Sequence, residues 1–333
     1  MDYLISVALM LRVKSPLVHV KIVLPGLPII NMAIDPRNII NSPFGLNLAY
    51  LIGKYTPQTL GQRIALYIAD RISARAKWKI VHAVRTNQWV VNGEKLSRAD
   101  LDRLVSETFR NIAVSIFELY HNINDPTASL RMFEPHPMAV QLLQRPEFSA
   151  RGLVIAGVHM SNFDMAYQVG GLVGIKALTL TLPKLDAAYQ KQLAMRSEKG
   201  LNIAQASVGS IKHAVDHLKA GGLVITGIDR PDENYTYRPK FFNRPAAIPI
   251  HHVFLAVKAH VPVIVVATYK HSDGKYHFIF SDPIEMQPHP DRHLEIITNA
   301  ENILHVVEGI IQRFPSQWSM TFPVWPEVVS QVP

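Results

Sequence analysis

The sequence predicts an α/β fold in which a mostly parallel central sheet is flanked by helices and preceded by a helical N-terminal layer. From about residue 150 onward, short apolar runs typical of buried strands alternate with segments of helical periodicity. Before that point, helical periodicity dominates. We therefore predict a helical region over 1–150, for which contact with a membrane is one interpretation, and an α/β core over 151–333, packed together as one compact unit.

The composition favours a protein that contacts lipid. Apolar residues make up 48% of the 333 residues and charged residues only 18%, which is below the usual quarter for soluble proteins. The net charge of +8 favours anionic partners. Because the basic residues form no block or aromatic-interleaved stripe, nucleic acid is not a predicted partner. The absence of cysteine excludes disulfides, thiolate metal sites and a cysteine nucleophile.

The N-terminal stretch from Met1 to Ile34 is apolar, but side chains that carry charge interrupt it. No run approaches the roughly 18 apolar residues that a membrane span needs, and the first residues do not read as a signal peptide. Two interpretations remain open: a segment lying at the membrane interface, or a helix packed on the domain. The interrupting side chains are Arg12, Lys14, His19 and Lys21.

Two helix starts are visible in the region that follows. Thr56-Pro57 places proline at a first helical position, and Ser97 with Asp100 resembles a capping box. The positive charges along this region fit either a solvated helix face or a patch that faces the membrane. They are Arg63, Arg71, Arg75, Lys77 and Lys79.

The core region reads as alternating strands and helices. A turn over 270–274 predicts a hairpin, so the last edge of the sheet should be antiparallel. The predicted strands are 153–158, 175–182, 201–206, 223–228, 261–269 and 276–280, and the predicted helices are 163–172, 186–199, 208–220, 250–259 and 294–314.

The strongest candidate for chemistry is His159 at the carboxyl end of the first core strand, where open α/β sheets bind their ligands. Asp164 follows in the first turn of a helix that Ser161 or Asn162 can cap. From there its carboxylate is predicted to accept the Nδ1 proton of His159, leaving Nε2 free to act as a base. The alternative is a strand-end histidine bonded to a carbonyl, with Asp164 only stabilising the helix start.

A strand, His-x4-Asp and a helix, in this order, resemble the glycerolipid and glycolipid acyltransferase superfamily. The nearest branch resembles the bacterial lipid A acyltransferases and the phosphatidylinositol mannoside acyltransferases. Ordered motifs extend the resemblance over roughly residues 45–326. They are Arg196 with Gly200, Ile228-Asp229-Arg230, Phe241-Phe242-Asn243-Arg244-Pro245, and Pro315-x-Gln317-Trp318 followed by Trp325.

The resemblance implies two further catalytic residues, Arg196 and Asp229, which would organise the acceptor and the site. Without the resemblance, Arg196 would be interpreted as a cation that bonds the last carbonyls of a helix. Asp229 would be interpreted as a loop residue that caps a turn. Arg230 stands where this family usually has glutamine. Lys184, in the loop after the preceding strand, is a weaker candidate for the work of Arg196. The predicted substrate-binding residues are Ser161, Asn162, Lys184, Arg230, Arg238, Lys240, Phe241, Phe242 and Arg244.

The two phenylalanines of that group have two interpretations. Phe241 and Phe242 either line a groove for an acyl chain, or they pack in the protein core, which we call the core-plug interpretation. In the second case the cationic side chains of Arg238, Lys240 and Arg244 are exposed to solvent beside them. The family's closing Pro-x-Gln-Trp turn is expected to be structural. No zinc, P-loop, dinucleotide or Gly-x-Ser-x-Gly motif occurs, so no metal and no cofactor are predicted.

The function that the resemblance implies is O-acyl transfer. A fatty acyl chain would pass from acyl-CoA or acyl carrier protein, as co-substrate, to a hydroxyl of a glycolipid or phospholipid, with His159 as general base. The expected partners are the membrane lipid acceptor, the acyl donor and an anionic membrane surface. We expect the protein to lie peripherally on the cytoplasmic face of the membrane. The alternative is a non-catalytic lipid-binding protein on the same fold.

Overall fold

The computed structural model describes residues 8–13, 18–23, 30–34, 43–144, 151–181 and 202–333. The chain divides into two compact units, Met1–Ala49 and Tyr50–Pro333. No helix in the described part is long and apolar enough to cross a membrane.

The first unit holds a three-stranded antiparallel sheet in the order β1-β2-β3. The prediction of a helix over this stretch is wrong. Apolar and polar residues alternate along Val18-His19-Val20-Lys21-Ile22, and this period of two is typical of a strand. The strands are β1 Ala8–Val13, β2 Val18–Val23 and β3 Ile30–Ile34.

The helical layer predicted before the sheet is confirmed. Ser97 is the N-cap of its longest helix, and its side chain accepts a hydrogen bond from the amide of Asp100 at 3.1 Å. The described helices of this layer are α1 Pro43–Tyr55, α2 Gln58–Ser73, α3 Lys79–Val91, α4 Arg98–His121, α5 Pro126–Arg131 and α6 Pro137–Gln144.

The second unit is built on a six-stranded sheet in the order β11-β10-β4-β7-β5-β6. All its described pairings are parallel except β10 with β11, which form the predicted antiparallel hairpin. The predicted α/β fold class is therefore confirmed. The strands are β4 Leu153–Gly157, β5 Ala177–Thr181, β6 Asn202–Gln205, β7 Leu223–Gly227, β10 Val263–Lys270 and β11 Tyr276–Phe280.

The helices after the first core strand also follow the predicted alternation. The predicted helix over 186–199 lies outside the described residues. A two-residue antiparallel pair, β8 Lys240–Phe241 with β9 Arg244–Pro245, forms a separate small sheet. The remaining helices are α7 Phe163–Leu172, α8 Val208–Lys219, α9 His251–Ala259 and α10 Arg292–Arg313.

The two faces of the large sheet have different neighbours. Val154, Val224 and Val265 belong to the main core, which also contains buried residues of α8, α9 and α10. Ile155 and Ile225 point to the opposite face, because successive side chains of a strand alternate between faces. That second face borders a cavity, described below.

Candidate active site

His159 lies just beyond the carboxyl end of β4. Its side chain is 22% exposed, and its ring forms part of the wall of a cavity. The carbonyl of His159 accepts a hydrogen bond from the amide of Ser319 at 2.8 Å, and the ring of Phe163 meets the imidazole edge to face at 4.6 Å. The backbone and the ring of His159 are therefore both held in place.

Asp229 is fully buried and bonded to His159. Its Oδ1 lies 2.5 Å from His159 Nδ1, and its Oδ2 accepts hydrogen bonds from the His159 amide at 3.0 Å and from Trp318 Nε1 at 2.8 Å. A buried carboxylate is stable only when donors satisfy its oxygens, and here three donors do so. With Nδ1–H donating to Asp229, the neutral imidazole keeps its lone pair on Nε2.

The prediction that Asp164 accepts the Nδ1 proton is therefore wrong. The register of the sheet explains why: Gly157 of β4 pairs with Gly227 of β7, and His159 and Asp229 each follow their glycine by two residues. Parallel strands end at the same edge, so the two side chains meet there. Asp164 lies in the first turn of α7 and lines the same cavity as His159. Its predicted catalytic role stays a prediction.

Ser161 and Asn162 form the turn between His159 and α7, and both are buried. Ser161 adopts a φ of +50°, and its amide donates to the carbonyl of Gln317 at 2.7 Å. Asn162, not Ser161, is the N-cap: its Oδ1 accepts from the amide of Met165 at 3.3 Å. These contacts hold the turn in place, and they differ from the substrate contacts predicted for both residues.

A buried polar network supports this turn from behind. Asn162 Nδ2 donates to Tyr276 Oη at 3.4 Å, and Tyr276 in turn donates a short hydrogen bond to Glu118 of α4. Glu118 also pairs with Lys270 Nζ at 2.5 Å. Burial, with the nearby Glu118 carboxylate, raises the pKa of Tyr276 far above its usual range. The phenol therefore stays protonated and acts as a donor.

The cavity beside His159 has a volume of about 370 Å³ and lies against the second face of the sheet. Helix α7 forms another part of its wall. Most of the side chains that line it are apolar, which is the composition expected of a site for a hydrocarbon chain. The apolar members of the wall include Phe133, Ile155, Phe163, Val169, Ile175, Ala177, Ile203, Ile225, Val266, Phe278 and Phe280.

The Phe241-Phe242 pair belongs to the main core. Phe241 is fully buried and stacks on Trp325 at 5.5 Å. Phe242 meets Trp325 edge to face at 5.9 Å and adopts a φ of +52°. The structure therefore supports the core-plug interpretation over a groove lined by these rings.

The predicted cationic residues lie in different surroundings. Arg230 lines the cavity, and its guanidinium lies 4.2 Å from the centroid of the Phe322 ring. Arg244 forms an ion pair with Glu94, which lowers the pKa of that carboxyl group. Arg238 and Lys240 are exposed, and Arg238 Nη2 donates to the carbonyl of Glu233 at 3.1 Å. Lys184 and Arg196 lie outside the described residues, so their predicted roles stay predictions.

We expected a structural role for Trp318. Its indole also contacts the candidate site directly, at Asp229. The Nε1–H group donates to Asp229, as described above, and the backbone of Trp318 forms a β-bridge with Met160. The neighbouring Gln317 exchanges two side-chain hydrogen bonds with the backbone of Lys270, at 2.6 and 3.0 Å. The closing Pro-x-Gln-Trp motif was the sequence signal for this contact.

One described cluster has the composition of a metal site. His271, Asp273 and His277 bring three ligand atoms within 4.8 Å of one another on the β10–β11 hairpin. Asp273 accepts from the amide of Lys275 at 2.8 Å and bonds His277 Nε2 at 2.9 Å. These hydrogen bonds stabilise an exposed turn, and this structural role accounts for the cluster. We assign no metal ion to it.

Replacing Gly227 by alanine is expected to lower any activity that depends on His159 by about 10- to 100-fold. The new Cβ would lie 2.9 Å from His159 Cε1, so the ring must move, and small displacements of a catalytic group are costly. Gly157→Ala is the matched control, because its Cβ meets only Thr226 O at 3.8 Å. Steady-state kinetics and melting temperatures of both variants test this. Equal activity of the two variants would contradict it.

A buried carboxylate–histidine pair lies at the carboxyl edge of a parallel sheet and borders an apolar cavity. This arrangement is typical of an α/β enzyme. Comparison with family models makes the assignment specific. The model of the bacterial lipid A biosynthesis acyltransferases matches residues 44–326, and the chain belongs to this family. The protein is therefore a lipid acyltransferase. A search of curated proteins gives no significant match.

Proposed function

We propose that the protein is a membrane-associated O-acyltransferase in which His159 is the general base. It transfers a fatty acyl chain from acyl-CoA or acyl carrier protein to a hydroxyl of a glycolipid or phospholipid. The observation that carries the proposal is the hydrogen bond from His159 Nδ1 to the buried Asp229. This bond selects the imidazole tautomer whose Nε2 can accept a proton.

The reaction then follows in two steps. His159 Nε2 takes the proton of the acceptor hydroxyl while its oxygen attacks the thioester carbonyl carbon, which gives a tetrahedral oxyanion. Collapse of this intermediate breaks the carbon–sulfur bond, and the imidazolium returns the proton to the departing sulfur. The products are an ester and a free thiol, and no acyl-enzyme forms. Asp229 stabilises the imidazolium between the two steps.

The oxyanion needs donors that are already in place. The N-terminus of α7 reaches the cavity wall at Phe163, and first-turn amides have no partner within their own helix. We assign this helix end to the oxyanion. Two amides are not part of the assignment, because they already have acceptors: Ser161 donates to the carbonyl of Gln317, and Met165 donates to Oδ1 of Asn162.

Membrane association is supported by one face of α2. Leu60 and Tyr67 are 45% and 47% exposed, and Arg63 and Arg71 lie at helical spacing between and beyond them. The Arg71 guanidinium lies 5.0 Å from the Tyr67 ring centroid. An exposed helix face with apolar and cationic side chains suits the interface of an anionic bilayer. We place the protein peripherally, on the cytoplasmic face.

Transfer of labelled acyl groups into a total membrane-lipid extract tests the function. We expect a labelled lipid product from acyl-CoA or from acyl carrier protein as donor, and its mass identifies the acceptor. When the lipids are presented in vesicles, anionic ones should support faster transfer than neutral ones, and added salt should reduce the difference. Failure to form product with either donor would refute the proposal.

A further inference from the structure

Trp318 and Trp325 are two buried tryptophans of one aromatic cluster, and they differ in how they use the indole N–H group. Both rings lie against Phe241, Trp318 edge to face at 6.1 Å and Trp325 stacked at 5.5 Å between centroids. Trp318 Nε1 donates to Asp229 Oδ2 at 2.8 Å. Trp325 Nε1 has no hydrogen-bond acceptor among the described residues. Packing in this cluster therefore does not require the N–H group, and the bond from Trp318 calls for an explanation of its own.

The bond from Trp318 constrains how the Asp229 carboxylate is turned. The two oxygens of a carboxylate are chemically equivalent, and the group can rotate about its Cβ–Cγ bond unless donors hold it. Here Oδ2 is held by two donors, the indole of Trp318 and the amide of His159. Oδ1 is left for a single donor, His159 Nδ1. The indole thus helps to determine which oxygen meets the imidazole and in what orientation.

The segment that carries Trp318 also holds the backbone of His159. We call residues 315–319 the closing segment. Two backbone hydrogen bonds join it to the turn before α7: Ser161 N donates to Gln317 O at 2.7 Å, and Ser319 N donates to His159 O at 2.8 Å. The closing segment therefore fixes the histidine through its backbone and the carboxylate partner through the Trp318 side chain.

Two helices of the helical layer anchor the closing segment from its other side. Gln88 of α3 donates from Nε2 to Pro315 O at 2.7 Å. Asn111 of α4 donates from Nδ2 to Ser316 O at 3.0 Å. Because these bonds lie directly before Trp318 in the chain, the indole is already in place without substrate. Groups that are fixed in advance need no reorganisation during a reaction.

We propose that Trp318 is a positioning residue for acyl transfer: its indole N–H keeps Asp229 turned so that Oδ1 faces His159 Nδ1. This inference rests on the proposed function, in which His159 is the base. An oriented carboxylate keeps the proton on Nδ1, leaves Nε2 free to accept the hydroxyl proton, and stabilises the imidazolium once it forms. A carboxylate that turned away would allow the tautomer with the proton on Nε2, which is not a base.

Trp318→Phe tests the proposal, and Trp325→Phe is its matched control. Each variant keeps an aromatic ring and leaves a gap of similar size in the same buried cluster, but only the first removes a used N–H group. With the donor that the wild type uses and a total membrane-lipid extract as acceptor, Trp318→Phe should lower kcat about tenfold and leave KM for the donor within about twofold. Trp325→Phe should keep both constants within about twofold of wild type.

Nitrogen NMR of protein labelled in histidine measures the positioning itself, without substrate. His159→Ala identifies the signals of the His159 ring. In wild type and in Trp325→Phe, Nδ1 should have the chemical shift of a protonated ring nitrogen. In Trp318→Phe, the Nδ1 and Nε2 shifts should move toward each other, as expected when both tautomers are populated. A tryptophan that only fills space would give the same spectrum in both variants.

A second pair of variants keeps the test decisive if Trp318→Phe does not fold. 3-Benzothienylalanine retains both rings of tryptophan and has sulfur in place of the N–H group, so it removes the donor with little change in volume. Placed at position 318 it should reproduce the loss of kcat and the change in the His159 signals, and placed at position 325 it should do neither. Equal kcat at the two positions would overturn the proposal.

The spectra also separate this inference from the proposed function. If the wild type transfers no acyl group, the proposed function is refuted, and a change of the His159 signals confined to the position-318 variants still supports Trp318 as the residue that orients Asp229. Unchanged His159 signals in those variants, beside an active wild type, would refute the role of Trp318 and leave the proposed function standing.

Discussion

Replacing His159 by alanine is expected to lower the turnover number for acyl transfer by about 10²- to 10⁴-fold, the usual contribution of a general base. The protein should remain folded. Asp229 loses one donor but keeps the His159 amide and Trp318 Nε1, and the imidazole itself lies at a cavity wall. Steady-state kinetics with saturating donor and a thermal melt of the same preparation measure both properties.

The control for this variant is His305→Ala. His305 is 88% exposed and lies 3.5 Å from the carboxylate of Glu308, so it is also a histidine beside an acid. Its replacement should leave turnover within about twofold of wild type, as expected for a surface substitution. Full activity of His159→Ala, or loss of its folded structure, would refute the assignment of the base.

The second large effect is expected from Asp229→Asn, with a loss of up to about 10⁴-fold in kcat. The asparagine oxygen can still accept from Trp318 Nε1 and the His159 amide, so the fold should survive. The amide NH₂ would then face His159 Nδ1 and turn that atom into an acceptor. The proton moves to Nε2, which can no longer act as a base, a consequence of the wrong tautomer known from serine proteases.

Nitrogen NMR of labelled histidine distinguishes this explanation from simple destabilisation. The wild type should show a protonated Nδ1 on His159, and Asp229→Asn a protonated Nε2. Asp164→Asn is the comparison variant: Nδ1 of His159 is bonded to Asp229, so this change should leave the tautomer as it is. A larger loss from Asp164→Asn than from Asp229→Asn would mean that Asp164 is the more important carboxylate.

The sequence was most informative where the pattern is local. A glycine-bounded apolar run predicted β4 to within one residue, and the helix over Phe163–Leu172 was predicted with its observed bounds. Both depend on neighbours in the chain: burial of a continuous apolar segment, and a capping side chain followed by helical periodicity. The Asp-Gly turn likewise predicted the β10–β11 hairpin. The position of His159 at a strand end followed from the same local pattern.

The N-terminal stretch shows how a local pattern can be misread. Its overall hydrophobicity suggested a segment at the membrane interface or a packed helix. The helix is wrong, and the alternation of apolar and polar residues along β2 was the local signal for a strand. The interfacial interpretation stays a prediction. Cross-strand pairing stabilises such a segment only when partner strands are present.

The network behind the turn could not be derived from sequence. Glu118 reads as one more position on a long amphipathic helix, and Tyr276 as the start of a strand. Only tertiary packing brings the two side chains together and links them to the N-cap Asn162.

By itself, then, the sequence determined the α/β class, the order of the core elements, and the histidine at the end of β4, because these depend on contacts within short segments. The tertiary structure decided which carboxylate serves that histidine. Asp164 is five residues away in the chain, but the register between β4 and β7 sets Asp229 beside the imidazole from 70 residues away. Sheet pairing brings distant residues together, and no local pattern records which strand becomes the neighbour.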